Sequence, residues 1–292
     1  MGIAKIAYCL LAELKRDYPD LGGSVLQLGR QTVYLKSSQS LSVLKEFGIK
    51  PSVDLNPNSQ SNINDITLFK SLGFDVVESI DFSDYEKPTH THDFNLPIPE
   101  NFHEKYDAIY DGGTTEHIFD FPQCLKNIYK MLKRGGVIMH ASPANNYVDH
   151  GFYSFSPTVF YDYYTANGFE ILKSCIFEVK PSANKCVVYE YDPQKLSSLP
   201  RDGFGELLVW FVARKVDGST CDAIPQQGAY LKTWSKSSEF EPVEFSTSPR
   251  LKLLSHLKKI VKGTRFLYDL LLRFRRVAGG KKPPIVVTYD YL

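Results

Sequence analysis

No CxxC pair occurs in this sequence, and its five cysteines (Cys9, Cys124, Cys175, Cys186, Cys221) are scattered along the chain. That spacing argues against a zinc knuckle and against the disulfide framework of a small secreted domain. No apolar run approaches the roughly 20 residues a membrane-crossing helix needs. Residues 1–17 lack the charged, apolar and small-residue layout of a secretory leader, and Ile6 stands where a myristoylation motif would want Ser or Thr. Internal repeats and long low-complexity runs are absent as well. A cytoplasmic protein in a reducing compartment is expected. Net charge is also almost missing, at +1, yet the balance is uneven. Residues 250–282 carry 11 Lys and Arg against a single acid, Asp269, so an acidic body bears a basic tail and an acidic partner for that tail is expected.

What is present suits a globular protein: 292 residues, 43% of them hydrophobic, enough for one large or two small domains. Ile3, Ile6, Ala7, Leu10, Leu11 and Leu14 recur at helical spacing and predict a leading helix stopped near Pro19 and Gly22-Gly23. Ser24–Gly29 reads as a strand buried on both faces. From Asn64 the chain alternates: helix 66–72, strand 74–80, strand 106–110, helix 121–132 closed by Gly135-Gly136, and strand 137–141. A helix at 158–167 and strands at 169–179 and 207–213 follow, and the last two are expected to pair as an antiparallel edge. Alternating helix and strand predicts a mostly parallel sheet covered on both faces.

Within that alternation, "YDAIYDGGTTEHIFD" (106–120) and "CLKNIYKMLKRGGVIMHASP" (124–143), followed by "HGFYSFSPTVFYDYYTANGFEI" (150–171), resemble class I S-adenosylmethionine-dependent methyltransferases. The similarity spans roughly Ser24 to Lys215. It implies a doubly wound, mostly parallel, seven-stranded Rossmann-like sheet over residues 1–216, with 31–62 as an insertion that could cover the pocket, 217–249 as a linker and 250–292 as a basic amphipathic helical tail. The cofactor it implies is S-adenosylmethionine. Asp81 would take the ribose hydroxyls, Phe82 would lie against adenine, Asp93 would sit by the adenine amino group, and Asp111, Gly112 and Gly113 would line the methionine side together with Thr114. Asp81 reads equally as a turn former, and Asp93 as a brace for the turn at Asn95–Pro97.

One departure from the family's pattern is plain. Members normally carry an acid in the first strand and two or three glycines after it, whereas this chain offers Gln27, Leu28, Gly29, Arg30 and Gln31. Gly29 alone remains, and a guanidinium near a sulfonium is repulsive unless it points away or is paired.

For chemistry, His117 and His150 follow the fourth and fifth strands, and either could take a proton at neutral pH as the catalytic base; each reads equally as a structural histidine. A metal-assisted branch of the family is similar in its Glu-His pair but adds a second Glu one turn earlier. Gly113 holds that position here, and no metal is expected. His90 and His92 alternate and are expected to face solvent. Tyr147, Tyr153 and Phe155 would wall the acceptor site or lie in the core. The expected function is O-methylation of a small or glycan-like acceptor. The alternatives are a non-catalytic scaffold that has lost cofactor use, or an adaptor whose basic stripe at 250–276 meets an anionic membrane surface or a nucleic acid, although no nucleic-acid motif accompanies it.

Overall fold

A computed structural model describes residues 2–180, 185–193, 205–228, 230–231 and 285–290. Two compact units are distinguished, the first built from Met1–Tyr191, Arg201–Pro225 and Pro284–Leu292, the second from Asp192–Pro200 and Gln226–Pro283. The sheet and the cleft described below belong to the first. The basic stripe at 250–276 lies outside the described residues.

The apolar stripe of the N-terminus becomes α1 (Lys5–Asp17), which buries Ile6, Leu10, Leu11 and Leu14. β1 (Gly23–Leu28) follows, buried continuously from Val25, as a strand covered on both faces must be. Next come α2 (Ser37–Glu46) and α3 (Asp65–Ser71); the Asn64 side chain caps α3 by accepting from the Thr67 amide. β2 (Phe74–Asp81), β3 (His90–Thr91) and β4 (Tyr106–Asp111) precede α4 (Phe121–Met131), which Asp120 caps. The chain then runs through β5 (Leu132–Asn145), α5 (Pro157–Ala166), β6 (Glu170–Lys180), β7 (Lys185–Glu190), β8 (Glu206–Arg214) and β9 (Ile285–Asp290). α4 ends before the glycines expected to close it. Leu132 already has extended backbone, and Gly135-Gly136 fall inside β5.

These strands form one sheet in the order β3-β2-β1-β4-β5-β8-β6-β7-β9. The pairs from β3 to β5 are parallel, while β8 runs antiparallel to both β5 and β6. The seven strands from β3 to β6 match the expected doubly wound sheet, and β7 and β9 extend it by antiparallel pairing. β8 is therefore an interior strand rather than half of an edge pair, which explains its unbroken apolar run from Leu208 to Ala213. β9 falls in the range read from sequence as tail.

One apolar cluster joins α1, α2 and α3 to one set of sheet residues, and a second joins α4 and α5 to the other. The segment 31–62 belongs to the first: Val33, Leu35, Val43, Leu44 and Leu55 are core residues, each contributing on the order of 1.5–3 kcal/mol when fully buried. Most of it packs on one face of the sheet, and its first residues, Gln31 and Thr32, reach the cleft described below. Strand order reverses between β1 and β4, and such a switch point leaves a crevice beyond the carboxyl ends of the strands.

Candidate cofactor cleft

A cleft of about 430 Å3 opens at that crevice. Of the residues singled out from sequence, Gly29, Asp81, Phe82, Asp93, Gly113 and His117 line it; Asp111, Gly112 and His150 do not. Parallel pairing makes this convergence possible, since Leu28 is in register with both Ile80 and Asp111. Residues just past these aligned positions, Gly29, Asp81 and Gly113, thus meet at one mouth.

Gly29 turns the chain at φ +68°, and a Cβ there would stand 2.6 Å from Thr114 Oγ1 and 3.7 Å from Asp81 Oδ2. Only glycine accepts both the left-handed backbone and this approach. Its amide donates to Ile80 O at 2.8 Å, and Thr114 Oγ1 donates to Leu28 O at 2.6 Å, so the ends of β1, β2 and β4 are tied together at the glycine. Asp81 accepts from the Phe82 amide at 2.7 Å through Oδ1 and from the Arg30 amide at 3.4 Å through Oδ2. It therefore serves as a turn former and as a carboxylate of the cleft wall. Phe82 is 72% exposed beside it.

The two bulky residues after Gly29 are accommodated differently. Arg30 leans on Asp65 at 3.4 Å and donates to the Glu86 and Lys87 carbonyls at 3.3 and 2.7 Å, so its charge is compensated by a nearly buried carboxylate. Gln31 folds inward, buried, with Nε2 donating to Leu28 O and Gly29 O. Gln27, which stands where the family has an acid, donates to Asp65 Oδ2 at 3.0 Å. The acid of this region thus comes from the start of α3.

On the opposite wall, Asp93 Oδ1 accepts from the Asn95 amide at 2.9 Å and from Asn95 Nδ2 at 2.7 Å. The Asn95 amide, then its side chain, holds the Asp93 carboxyl below the usual carboxylate range. The fully buried Asn127 of α4 fixes this loop: its Oδ1 accepts from the Ile98 amide, and its Nδ2 donates to Phe94 O and Leu96 O.

Asp111 corrects an expectation. It is fully buried beneath the cleft and accepts from the Thr114 and Thr115 amides, from Thr115 Oγ1 at 2.7 Å and from Ser142 Oγ at 3.2 Å. Burial alone would raise its pKa, but His140 at 2.7 Å, with Thr115 and the Thr114 amide, brings it below the ordinary value. His140 Nε2 reaches Tyr164 OH at 2.8 Å. This buried network positions the 112–115 turn and does not touch the cleft. Gly112 likewise serves the neighbouring side chains: a Cβ there would lie 2.6 Å from Tyr110 Cε1 and 2.8 Å from Gln31 Oε1.

Past Gly113 and Thr114, Glu116, His117 and His150 bring their ligating atoms within 4.8 Å of one another. They form the only such set that could hold a metal ion among the described residues. Glu116 is fully buried and neither oxygen has a hydrogen-bond partner; His150 Nε2 is 3.4 Å and His117 Nε2 3.8 Å away. Burial, and then the charge of Asp111, push the Glu116 carboxyl up to about 8. Burial and the neighbouring His150 hold His117 below the ordinary imidazole value, which leaves it neutral and able to accept a proton near pH 7. Gly151, at φ +76°, lets the 146–153 loop press on Glu116, and the Phe152 amide donates to Glu116 O at 2.7 Å.

Among the aromatic residues Phe155 takes the core alternative, and the remaining histidines depart from the solvent-facing expectation. Phe155 is core, packed on Phe121 and Phe160. Tyr153 is half-buried and donates to Phe119 O, and Tyr147 lies against His150. Exposed rings near His117 come instead from Phe119 and Phe152, edge to face at 5.5 Å. His90 is half-buried, bonded to Glu78 at 2.9 Å with its ring against Phe102, while His92 lines the cleft. Asp65, Asn127 and His140 were missed by sequence reasoning, whereas Thr114, expected on the methionine side, does line the cleft. None of the three lies in a run of residues that carried a site signal.

No protein-family model matches the chain, and no curated protein does. Among solved structures, it is similar to an S-adenosylmethionine-dependent methyltransferase from Archaeoglobus fulgidus, with 15% identity over 71% of this chain and 94% of that one and a TM-score of 0.37. An S-adenosylmethionine-dependent methyltransferase from Thermotoga maritima described as a possible histamine N-methyltransferase shows 15% identity over 73% and 90%, with a TM-score of 0.35. A third, from Aquifex aeolicus, shows 12% identity over 70% and 89%, with a TM-score of 0.37. At this distance the likenesses lend no weight to the functional reading, which rests on sheet order and cleft chemistry.

Proposed function

We propose that the chain binds S-adenosylmethionine in this cleft and methylates an acceptor that enters from the His117 side, with a hydroxyl of a small or glycan-like molecule as the acceptor group. The observation that carries the proposal is the meeting of Gly29, Asp81, Asp93, Gly113 and His117 in one cleft at the sheet's switch point. Its volume of about 430 Å3 lies in the range of small-molecule sites.

The donor groups present fit such a ligand. Asp81, an acceptor at the end of β2, suits a pair of ribose hydroxyls, and Asp93 suits an exocyclic amine. Phe82 offers a ring face for stacking. Arg30, the group least compatible with a sulfonium, is already paired with Asp65.

When bound, the cofactor supplies an electrophilic methyl group. The residues of the chain then have separate tasks. Gly29 and Gly113 keep the backbone low so that the ligand can lie close; Asp81 and Asp93 orient it. His117, held neutral, accepts the proton of the acceptor hydroxyl at Nε2 or Nδ1, and His150 stands behind it at a ring separation of 5.0 Å. Holding nucleophile and methyl group in line is worth more than the proton transfer itself.

Calorimetric titration of the full chain with S-adenosylmethionine and S-adenosylhomocysteine tests the proposal. Saturable one-to-one binding, with a raised melting temperature, is the expected result. No heat and no thermal shift at millimolar ligand would leave the non-catalytic scaffold as the better reading.

A further inference from the structure

Gln31 is 5% exposed and lines the cleft, yet half of its amide is unused. Nε2 donates to Leu28 O at 3.2 Å and Gly29 O at 3.4 Å. Two carbonyls face that end, so the nitrogen must lie there and the oxygen must point the other way. Oε1 then has no hydrogen-bond partner. Thr114 Oγ1, on the adjoining turn, is already engaged and gives its proton to Leu28 O. Gly112 leaves room for the amide: a Cβ at that position would stand 2.8 Å from Oε1 and 3.0 Å from Cδ.

A buried acceptor without a donor is costly, and its placement between the ends of β1 and β4 says what kind of donor would relieve it. The Asp111 carboxylate lies under the adjoining turn, and Arg30, the nearby cation, is tied to Asp65. The surroundings therefore favour a donor-only, positively charged group arriving with the ligand. The amino-acid arm of adenosylmethionine or adenosylhomocysteine ends in such a group, an ammonium.

We infer that Gln31 Oε1 is the acceptor for the α-ammonium of the ligand's amino-acid arm, so that a loop side chain takes over a task for which the first strand of this chain has no acid. The inference rests on the proposed adenosylmethionine reading. Oε1 is closed to solvent. The arm gains access by turning the outer torsions of Gln31, which only two long hydrogen bonds restrain. Gln31 thus selects ligands by their arm, while Asp81 and Asp93 read the nucleoside.

The test compares two ligands that share a nucleoside thioether and differ in the arm: S-adenosylhomocysteine, which has the ammonium, and 5′-methylthioadenosine, which lacks it. Affinities are measured by calorimetry for the wild-type chain, Gln31→Ala and the size-conserving Gln31→Met, each checked for an unchanged melting profile. The expected result is a loss of about tenfold or more in adenosylhomocysteine affinity for Gln31→Ala, the scale of a hydrogen bond to a charged group, with methylthioadenosine unchanged. Gln31→Met, close in length but without the acceptor, should lose adenosylhomocysteine affinity to the same extent and also leave methylthioadenosine unchanged. Equal losses for both ligands, no loss for either, or tighter adenosylhomocysteine binding by Gln31→Ala would overturn the inference. Wild type binding methylthioadenosine but not adenosylhomocysteine would overturn it too. Wild type binding neither would remove the methyltransferase reading itself, and the inference with it.

Discussion

At one end of the cleft, Asp81 and Asp93 stand partly in solvent, each already bonded to a backbone amide of its own turn. At the other, behind the His117 that lines it, Glu116 is sealed from solvent with neither oxygen bonded, between two imidazoles at 3.4 and 3.8 Å. The first end is cheap to maintain and is shaped by turns; the second is costly and is kept by packing. Ligand-orienting carboxylates need only be ionised and still, whereas groups that exchange protons need perturbed affinities, which burial supplies. The contrast suggests that substitutions at the first end change binding, and those at the second change turnover and pH dependence.

The sharpest way to break this division is at Gly29, which lies between Asp81 and Thr114. Gly29→Ala puts a Cβ 2.6 Å from Thr114 Oγ1 at φ +68°. It should cost about 1–3 kcal/mol of stability from the backbone alone, measurable by denaturant titration, and should abolish the thermal shift from adenosylhomocysteine. His117→Ala tests the catalytic end: methyl transfer should fall about 100-fold in single-turnover measurements, with adenosylhomocysteine affinity unchanged. Asp81→Ala does the reverse, weakening adenosylhomocysteine by about 1–3 kcal/mol in calorimetry while the melting profile stays near wild type.

The smallest effect is a slope. Because the Glu116 pKa is raised from its ordinary value to about 8, the folded state holds a proton that the unfolded chain releases. The stabilising contribution is complete below the ordinary carboxylate pKa and is lost as pH rises through about 8. Stability measured from pH 5 to 9 should decline with this component in wild type and lack it in Glu116→Gln. An identical slope in both would place the burden elsewhere.

Much of the fold was legible because its signals are local. The stripe of Leu10, Leu11 and Leu14, the buried run of β1 and the alternation from Asn64 each depend on a few consecutive residues. β9 was not legible, since a strand that pairs with β7 across a hundred residues leaves only Ile285–Asp290 to read, in a stretch dominated by basic charge. At the site, Gly29, Asp81, Asp93 and His117 could be placed because each directly follows a strand or turn signal. Asp111 could not: whether a strand-end carboxylate faces the ligand or the core depends on His140, Ser142 and Tyr164, which only the sheet brings near. Asp65 escaped notice for the same reason, since its pairing with Gln27 and Arg30 spans the whole 31–62 segment.

The central claim is that one ligand spans the cleft with its nucleoside on Asp81 and Asp93. A crystal structure of the full chain grown with S-adenosylhomocysteine tests it most directly. The expected result is ribose hydroxyls within hydrogen-bonding distance of the Asp81 carboxylate and the adenine amine beside Asp93. A cleft without ligand at millimolar concentration, or ligand bound elsewhere on the chain, would contradict it.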